Sequence, residues 1–206
     1  NVYFTVVEPE KRWNYLHRAH ELYCAGHLIE AAVAHFQATG KRNFLDCMCR
    51  YADYIATVFG RGKGKKRGYP GHEEIELALC KLAKATGRKK YLALAKYFVD
   101  ERGQSPQYFL KECPDLNARQ LEVHQALKPV REEKNAVGHA VRAVYLYSGM
   151  ADIAAATGDT ELLRVCEAVF DSISQKRMFL TGGIGSDRNG ESFENDYNLP
   201  DHNAYA

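Results

Sequence analysis

The side chains best suited to chemistry in this chain are histidines and carboxylates at recurring positions. Gly26-His27, Gly71-His72 and Gly138-His139 each open an apolar-periodic stretch. A neutral imidazole donates with one ring nitrogen and accepts with the other, a pairing that suits sugar hydroxyls. A single histidine at a helix N-terminus commonly just caps or packs. Three in equivalent places favour a shared rim, because repeats that share only packing need no common titratable group. In HELYCAGHLIEA, His20, Cys24 and His27 fall at i, i+4 and i+7, one face of a helix if it is continuous. Two imidazoles and a thiol could serve as zinc ligands. However, Cys24 stands where an HExxH motif has its second histidine, so the metalloprotease reading fails, and Gly26 weakens the continuous helix. On these residues no metal site is assigned within the chain.

Two loops carry the remaining chemistry. Residues 60–71, GRGKGKKRGYPG, lack the GxxxxGK[ST] spacing of a phosphate loop and follow no strand, so they read as a solvated connection. That connection delivers His72, Glu73 and Glu74 toward the rim. Residues 179–206, FLTGGIGSDRNGESFENDYNLPDHNAYA, abandon helical periodicity for Gly, Asn, Asp and aromatics, the composition of a shaped loop. Glycoside chemistry needs an acid for the leaving oxygen, aromatic faces for the ring and polar groups for the hydroxyls. Glu191, Glu194 and Asp196 are the loop's candidate carboxylates, although a loop carboxylate is more often only a solvated charge.

The elements that must position these groups are helical hairpins. Ala38-Thr39-Gly40, Ala85-Thr86-Gly87 and Ala156-Thr157-Gly158 each end a long apolar-periodic run and precede a second one. Glycine after a helical run is the expected left-handed C-terminal cap. The first two units are 47 residues apart, and the third follows 71 later because of an insertion around 103–134. Little alternates with period two, so strands are not expected and the fold class is all-α. Hairpins repeated every 40–50 residues build an open solenoid or a closed ring.

Composition bounds the alternatives. The 206 residues carry 28 Lys+Arg against 26 Asp+Glu, a net charge of +2 that argues against nucleic acid as a partner. No apolar run is long enough to span a membrane, and the start lacks a signal-peptide pattern. The six cysteines, Cys24, Cys47, Cys49, Cys80, Cys113 and Cys166, have no framework spacing; reduced, mostly buried thiols and a cytoplasmic location are expected. The chain begins on Asn rather than Met, from which an upstream segment is expected.

Four separated segments, HELYCAGHLIEAAVAHFQATGKRNFLD, GYPGHEEIELALCKLAKATG, NAVGHAVRAVYLYSGMADIAAATGD and TGGIGS…GESFENDYNLPDHNAYA, together resemble glycoside hydrolase family 127, over nearly the whole chain. The resemblance implies an (α/α)6 barrel, of which 1–206 would be a part incomplete at both ends, with 179–206 as the active-site loop. It implies a retaining hydrolase that releases terminal β-L-arabinofuranose. It matches Glu191, in GESF, to the acid/base, and His20, His72 and His139 to sugar-contacting residues; His27 fits the repeat with less support. It further implies zinc and a zinc-bound cysteine nucleophile from a Glu-Thr-Cys motif and a Cys-Cys pair expected after Ala206, which none of the six cysteines here matches. In that mechanism a zinc-held thiolate attacks without a separate base, and the acid/base must be protonated at the start, which a partly desolvated loop position would favour.

The chain alone is then expected to be inactive. At about 45 residues per hairpin a closed ring of six needs roughly 270 residues, so exposed apolar helix faces and self-association into homo-oligomers are expected. Two other readings stand beside this one. The first is a non-catalytic carbohydrate-binding or interaction repeat protein; the second is a hydrolase or epimerase acting on another sugar.

Overall fold

A computed structural model describes residues 3–201. Eight α-helices account for most of it: α1 (Glu21–Thr39), α2 (Asn43–Val58), α3 (Ile75–Thr86), α4 (Lys89–Glu101), α5 (Tyr108–Glu112), α6 (Ala118–Val123), α7 (Ala140–Thr157) and α8 (Thr160–Lys176). Among the described residues there is no strand, only isolated bridges such as Phe59 with Lys66 and Asp187 with Ser192.

The three expected hairpins are α1–α2, α3–α4 and α7–α8. Their turns close as the sequence indicates: Gly40, Gly87 and Gly158 take φ of 70°, 68° and 71°. In that left-handed region a Cβ would be strained, so glycine ends each first helix. The second helix of the third hairpin is capped by Asp159, whose carboxylate accepts from the Leu162 N–H at 3.0 Å. The insertion supplies the short helices α5 and α6, the latter opened by a capping box between Asn117 and Gln120.

The hairpins stand side by side as two layers. α1 packs on α3 and α3 on α7, forming an inner row, while α2, α4 and α8 each pack on their own partner outside it. Side-chain distribution explains this division. α1 and α7 are apolar around most of their circumference, whereas α2, α4 and α8 are strongly one-sided. A helix apolar all round must be covered on several sides, and a one-sided helix suits an outer layer. Ile29, Leu45, Ile55, Leu79, Phe98, Leu146 and Met150 are fully buried between the layers. The inner helices approach closely through small residues: a Cβ on Gly149 of α7 would lie 2.9 Å from Glu76 Cβ and 3.0 Å from the Leu77 nitrogen of α3.

Three expectations change. Only Cys49 and Cys80 are buried; Cys24 and Cys47, on the outward faces of α1 and α2, are exposed, and all six are free thiols. Glu73 and Glu74 do not reach the rim but lie fully buried beneath it. The Gly26-His27 pair does not open a helix, because α1 already begins at Glu21 and His27 sits in its second turn. Gly26 is a packing residue: a Cβ there would meet Glu74 Oε2 at 1.4 Å and the Ile75 Cα at 2.9 Å. Apolar faces are left uncovered as expected, with Phe170 and Leu163 of α8 exposed.

Candidate active site

The starts of α1, α3 and α7 lie at one end of the inner row. His20 is the N-cap residue of α1 and His139 that of α7, while His72 stands just before α3. Their rings converge. His72 is central, with its centroid 5.6 Å from His20 and 5.7 Å from His139. Tyr23, one turn into α1, packs on His72 at 4.3 Å and on His27 at 4.4 Å. Tyr145 of α7 lies 5.8 Å from His27 and 6.2 Å from His72. The sequence reading missed both tyrosines. Their signal was present in the helical spacing His20-Tyr23-His27 and in Tyr145 at two turns from His139.

Backbone bonds bring the loop to this end. The Ala140 N–H donates to Glu191 O at 2.9 Å, the Phe193 N–H to Gly138 O at 2.9 Å, and Asp187 and Ser192 exchange backbone bonds. Glu191 is thereby held beside the α7 N-terminus, in a left-handed conformation with φ of 50°. For a residue other than glycine that conformation costs about 1–3 kcal/mol and persists only where the surroundings impose it. The carboxylate meets His139: Nε2 to Glu191 Oε2 is 3.1 Å. The His139 Nδ1 accepts from the Arg142 N–H, so the ring proton lies on Nε2 and is donated to Glu191.

The rest of the loop is tied to the end of α8. Asp196 pairs with Lys176 and Arg177, and the Glu194 backbone oxygen accepts from Arg177. The loop's last residues, 202–206, lie outside the described residues.

Burial keeps His72 and His139 neutral. His72 is pushed down to about 4, chiefly by desolvation, with the charges of Arg142, His139 and His20 adding to it. Its Nδ1 donates to Glu73 O at 3.0 Å, leaving Nε2 as an acceptor. His139 is lowered for the same reason, against a smaller opposing pull from Glu191. Behind them His124 is pushed to about 3 by burial and by Arg142, and its Nδ1 donates to Gly71 O at 2.7 Å. A cavity of about 390 Å³ adjoins this cluster, lined in part by His20, Gln120, Val123, His124 and Arg142. A cavity of about 1010 Å³ around Lys65–Arg67 and Tyr108 includes none of the clustered rings.

Beneath the site a buried cluster anchors the His72 segment. Arg102, just past α4, is fully buried and donates to His124 O and Pro70 O, each at 2.8 Å. It bonds Glu76 at 3.3 Å and lies 2.8 Å from Glu73 Oε1, off the hydrogen-bonding direction. Burial raises Glu73 to about 8 in spite of Arg102. With Glu73 holding its proton at neutral pH, Glu76 is the acidic group that hydrogen-bonds the guanidinium.

As for metal, His20, Cys24 and His27 do not bring their donor atoms together. Among the described residues the one grouping that does is His27, Glu30 and Glu74. No cysteine belongs to it, so these residues do not fit the thiolate zinc site that the resemblance implies.

Known proteins resemble the chain over nearly its whole length. The model of the beta-L-arabinofuranosidase GH127 catalytic domain matches residues 4–206. A non-reducing end beta-L-arabinofuranosidase of Bifidobacterium longum subsp. longum is 41% identical over 204 residues, covering 95% of this chain and 31% of that protein. The crystal structure of a GH127 beta-L-arabinofuranosidase from Geobacillus stearothermophilus T6 superposes with a TM-score of 0.94 at 55% identity, covering 97% of this chain and 33% of the other. A further GH127 beta-arabinofuranosidase structure gives 0.82 at 49% identity, covering 92% and 28%. The helical hairpins thus fall in the class of helical-barrel glycoside hydrolase catalytic domains. The chain belongs to glycoside hydrolase family 127. It spans about a third of the length of the relatives it matches.

No helix of the described residues is long and apolar enough to cross a membrane.

Proposed function

We propose that this chain supplies the sugar-binding wall and the acid/base residue of a glycosidase that releases terminal β-L-arabinofuranose. The observation that carries this reading is the 3.1 Å pair between His139 Nε2 and Glu191 Oε2 at the end where His20 and His72 also converge. Glu191 protonates the departing glycosidic oxygen and later takes a proton from water, the two turns of a retaining mechanism. His139 orients that carboxyl by donating to one oxygen, which leaves the other to handle the proton. His20 and the neutral His72 and His139 exchange hydrogen bonds with furanose hydroxyls, and Tyr23 and Tyr145 offer ring faces. His27 stands one ring further back, against Tyr23.

The nucleophile is not among the described residues, and zinc belongs to this reading only through the family likeness, so no step passes through either. A cytoplasmic setting is part of the same reading, supported by six free thiols, two of them exposed.

The test is Glu191→Gln in the protein made from the natural reading frame. Turnover of glycosides with poor leaving groups should fall about 10²–10⁴-fold, and that of activated aryl arabinofuranosides much less. Equal retention on both would remove Glu191 from the acid role. A panel of aryl glycosides checks the sugar, since a preference for another glycone overturns the arabinose assignment.

A further inference from the structure

One group of side chains is used by nothing described above. The Glu74 carboxyl, at the start of α3, is fully buried, and neither oxygen has a hydrogen-bond partner. It lies in a notch that α1 leaves for it, since a side chain at Gly26 would occupy the position of Oε2. Facing it from α1 are His27, whose Nδ1 is 3.7 Å from Glu74 Oε1, and Glu30. One donor atom from each of the three falls within 4.8 Å of the others.

We infer that His27, Glu30 and Glu74 bind one divalent transition-metal ion, of the zinc or manganese type, that clamps α1 to the start of α3. Burial and the adjoining Glu30 push Glu74 up to about 9, so without a cation it keeps a proton; a metal ion displaces that proton and supplies the charge that a buried carboxylate lacks. The imidazole nitrogen selects transition ions over calcium and magnesium, which prefer all-oxygen sets. Zinc bonds of about 2.0–2.2 Å place ligand atoms roughly 3–3.5 Å apart, so the three donors must draw together. His27 and Glu30 can do so, because their side chains are 40% and 23% exposed. That exposure also gives the ion a way in. Lys81 hydrogen-bonds one oxygen of Glu30 and orients its carboxylate, as outer partners of metal ligands do. Three protein donors leave further positions for water. The site contains no cysteine and is separate from the sugar-facing edges of His20, His72 and His139.

The experiment uses the protein made from the natural reading frame. It is stripped with a chelator, re-equilibrated with Zn²⁺ or Mn²⁺, and its bound metal counted by plasma mass spectrometry. His27→Gln, Glu30→Gln and Glu74→Gln should each hold one equivalent less than the parent. Added metal should raise the parent's Tm more than that of His27→Gln. Co²⁺ in the site should give weak visible bands without the thiolate charge-transfer band of a cysteine site. If parent, His27→Gln and Glu30→Gln retain the same equivalents, the occupant is a proton shared by the carboxyls, and the proposal is overturned. These two variants alter partly exposed groups, so the test stands even if Glu74→Gln fails to fold.

Discussion

Replacing Arg102 by Met isolates the buried cluster that carries the His72 segment. The guanidinium is fully buried, stacks 4.9 Å from the Tyr69 ring, and joins α4 to Pro70, His124 and Glu76. Met fills much of the volume but leaves Glu76 as a buried carboxylate without its cation. Breaking such a pair costs about 3–5 kcal/mol. The carbonyls of Pro70 and His124 also lose their donor, at about 1–3 kcal/mol each if no water replaces it, and these costs overlap rather than add. Against a total stability of about 5–15 kcal/mol, the loss is large. With a urea slope of about 1–3 kcal/mol per molar, the unfolding midpoint followed by circular dichroism should drop by at least about 1 M.

The partners are not equivalent. Glu76→Gln should cost less than Arg102→Met, because Glu73, 2.8 Å from the guanidinium, can release its proton and become the counter-charge. Arg102→Met with Glu76→Gln removes both charges and should recover most of the loss. A midpoint shift under about 0.3 M, or a double variant no more stable than Arg102→Met, would refute this account of the cluster.

Two further outcomes are expected. Gly149→Ala should destabilise by about 1–3 kcal/mol, because its Cβ meets the α3 backbone, whereas Gly40→Ala, with nothing within 4 Å, should show only the strain of its positive φ; thermal melts of the pair check this. His124, held near 3 in the fold against about 6.5 unfolded, contributes stability that is present above pH 6.5 and lost as pH falls toward 3. The stability difference between parent and His124→Gln should therefore shrink by about 2 kcal/mol from pH 7 to pH 5, and a constant difference in urea melts across that range would mean that His124 titrates normally.

Much of the architecture follows from local sequence. Apolar spacing and the three Ala-Thr-Gly ends define the hairpins, because helix period and left-handed caps are properties of a few adjacent residues. The histidines before α3 and α7 are also readable, since each immediately precedes its helix. At α1 the same pattern misled: Gly26-His27 imitates a helix start, while the N-cap is His20. What sets Gly26 apart is Glu74, a residue on another hairpin that requires the space a side chain would fill. Loop composition marked Glu191 only as one of three candidate carboxylates, beside Glu194 and Asp196, and its pairing with His139 depends on backbone bonds between the loop and the α7 N-terminus.

The sequence by itself therefore determined the helices, their turns and the residue types available at their ends. Tertiary structure decided which groups meet, which histidines stay neutral, and that Glu73, Glu74, Glu76 and Arg102 lie inside rather than at the rim. The reason is physical. Periodicity and capping act within a turn or two of chain, whereas desolvation and charge balance depend on neighbours brought from distant hairpins, and these exist only once the inner helices have packed.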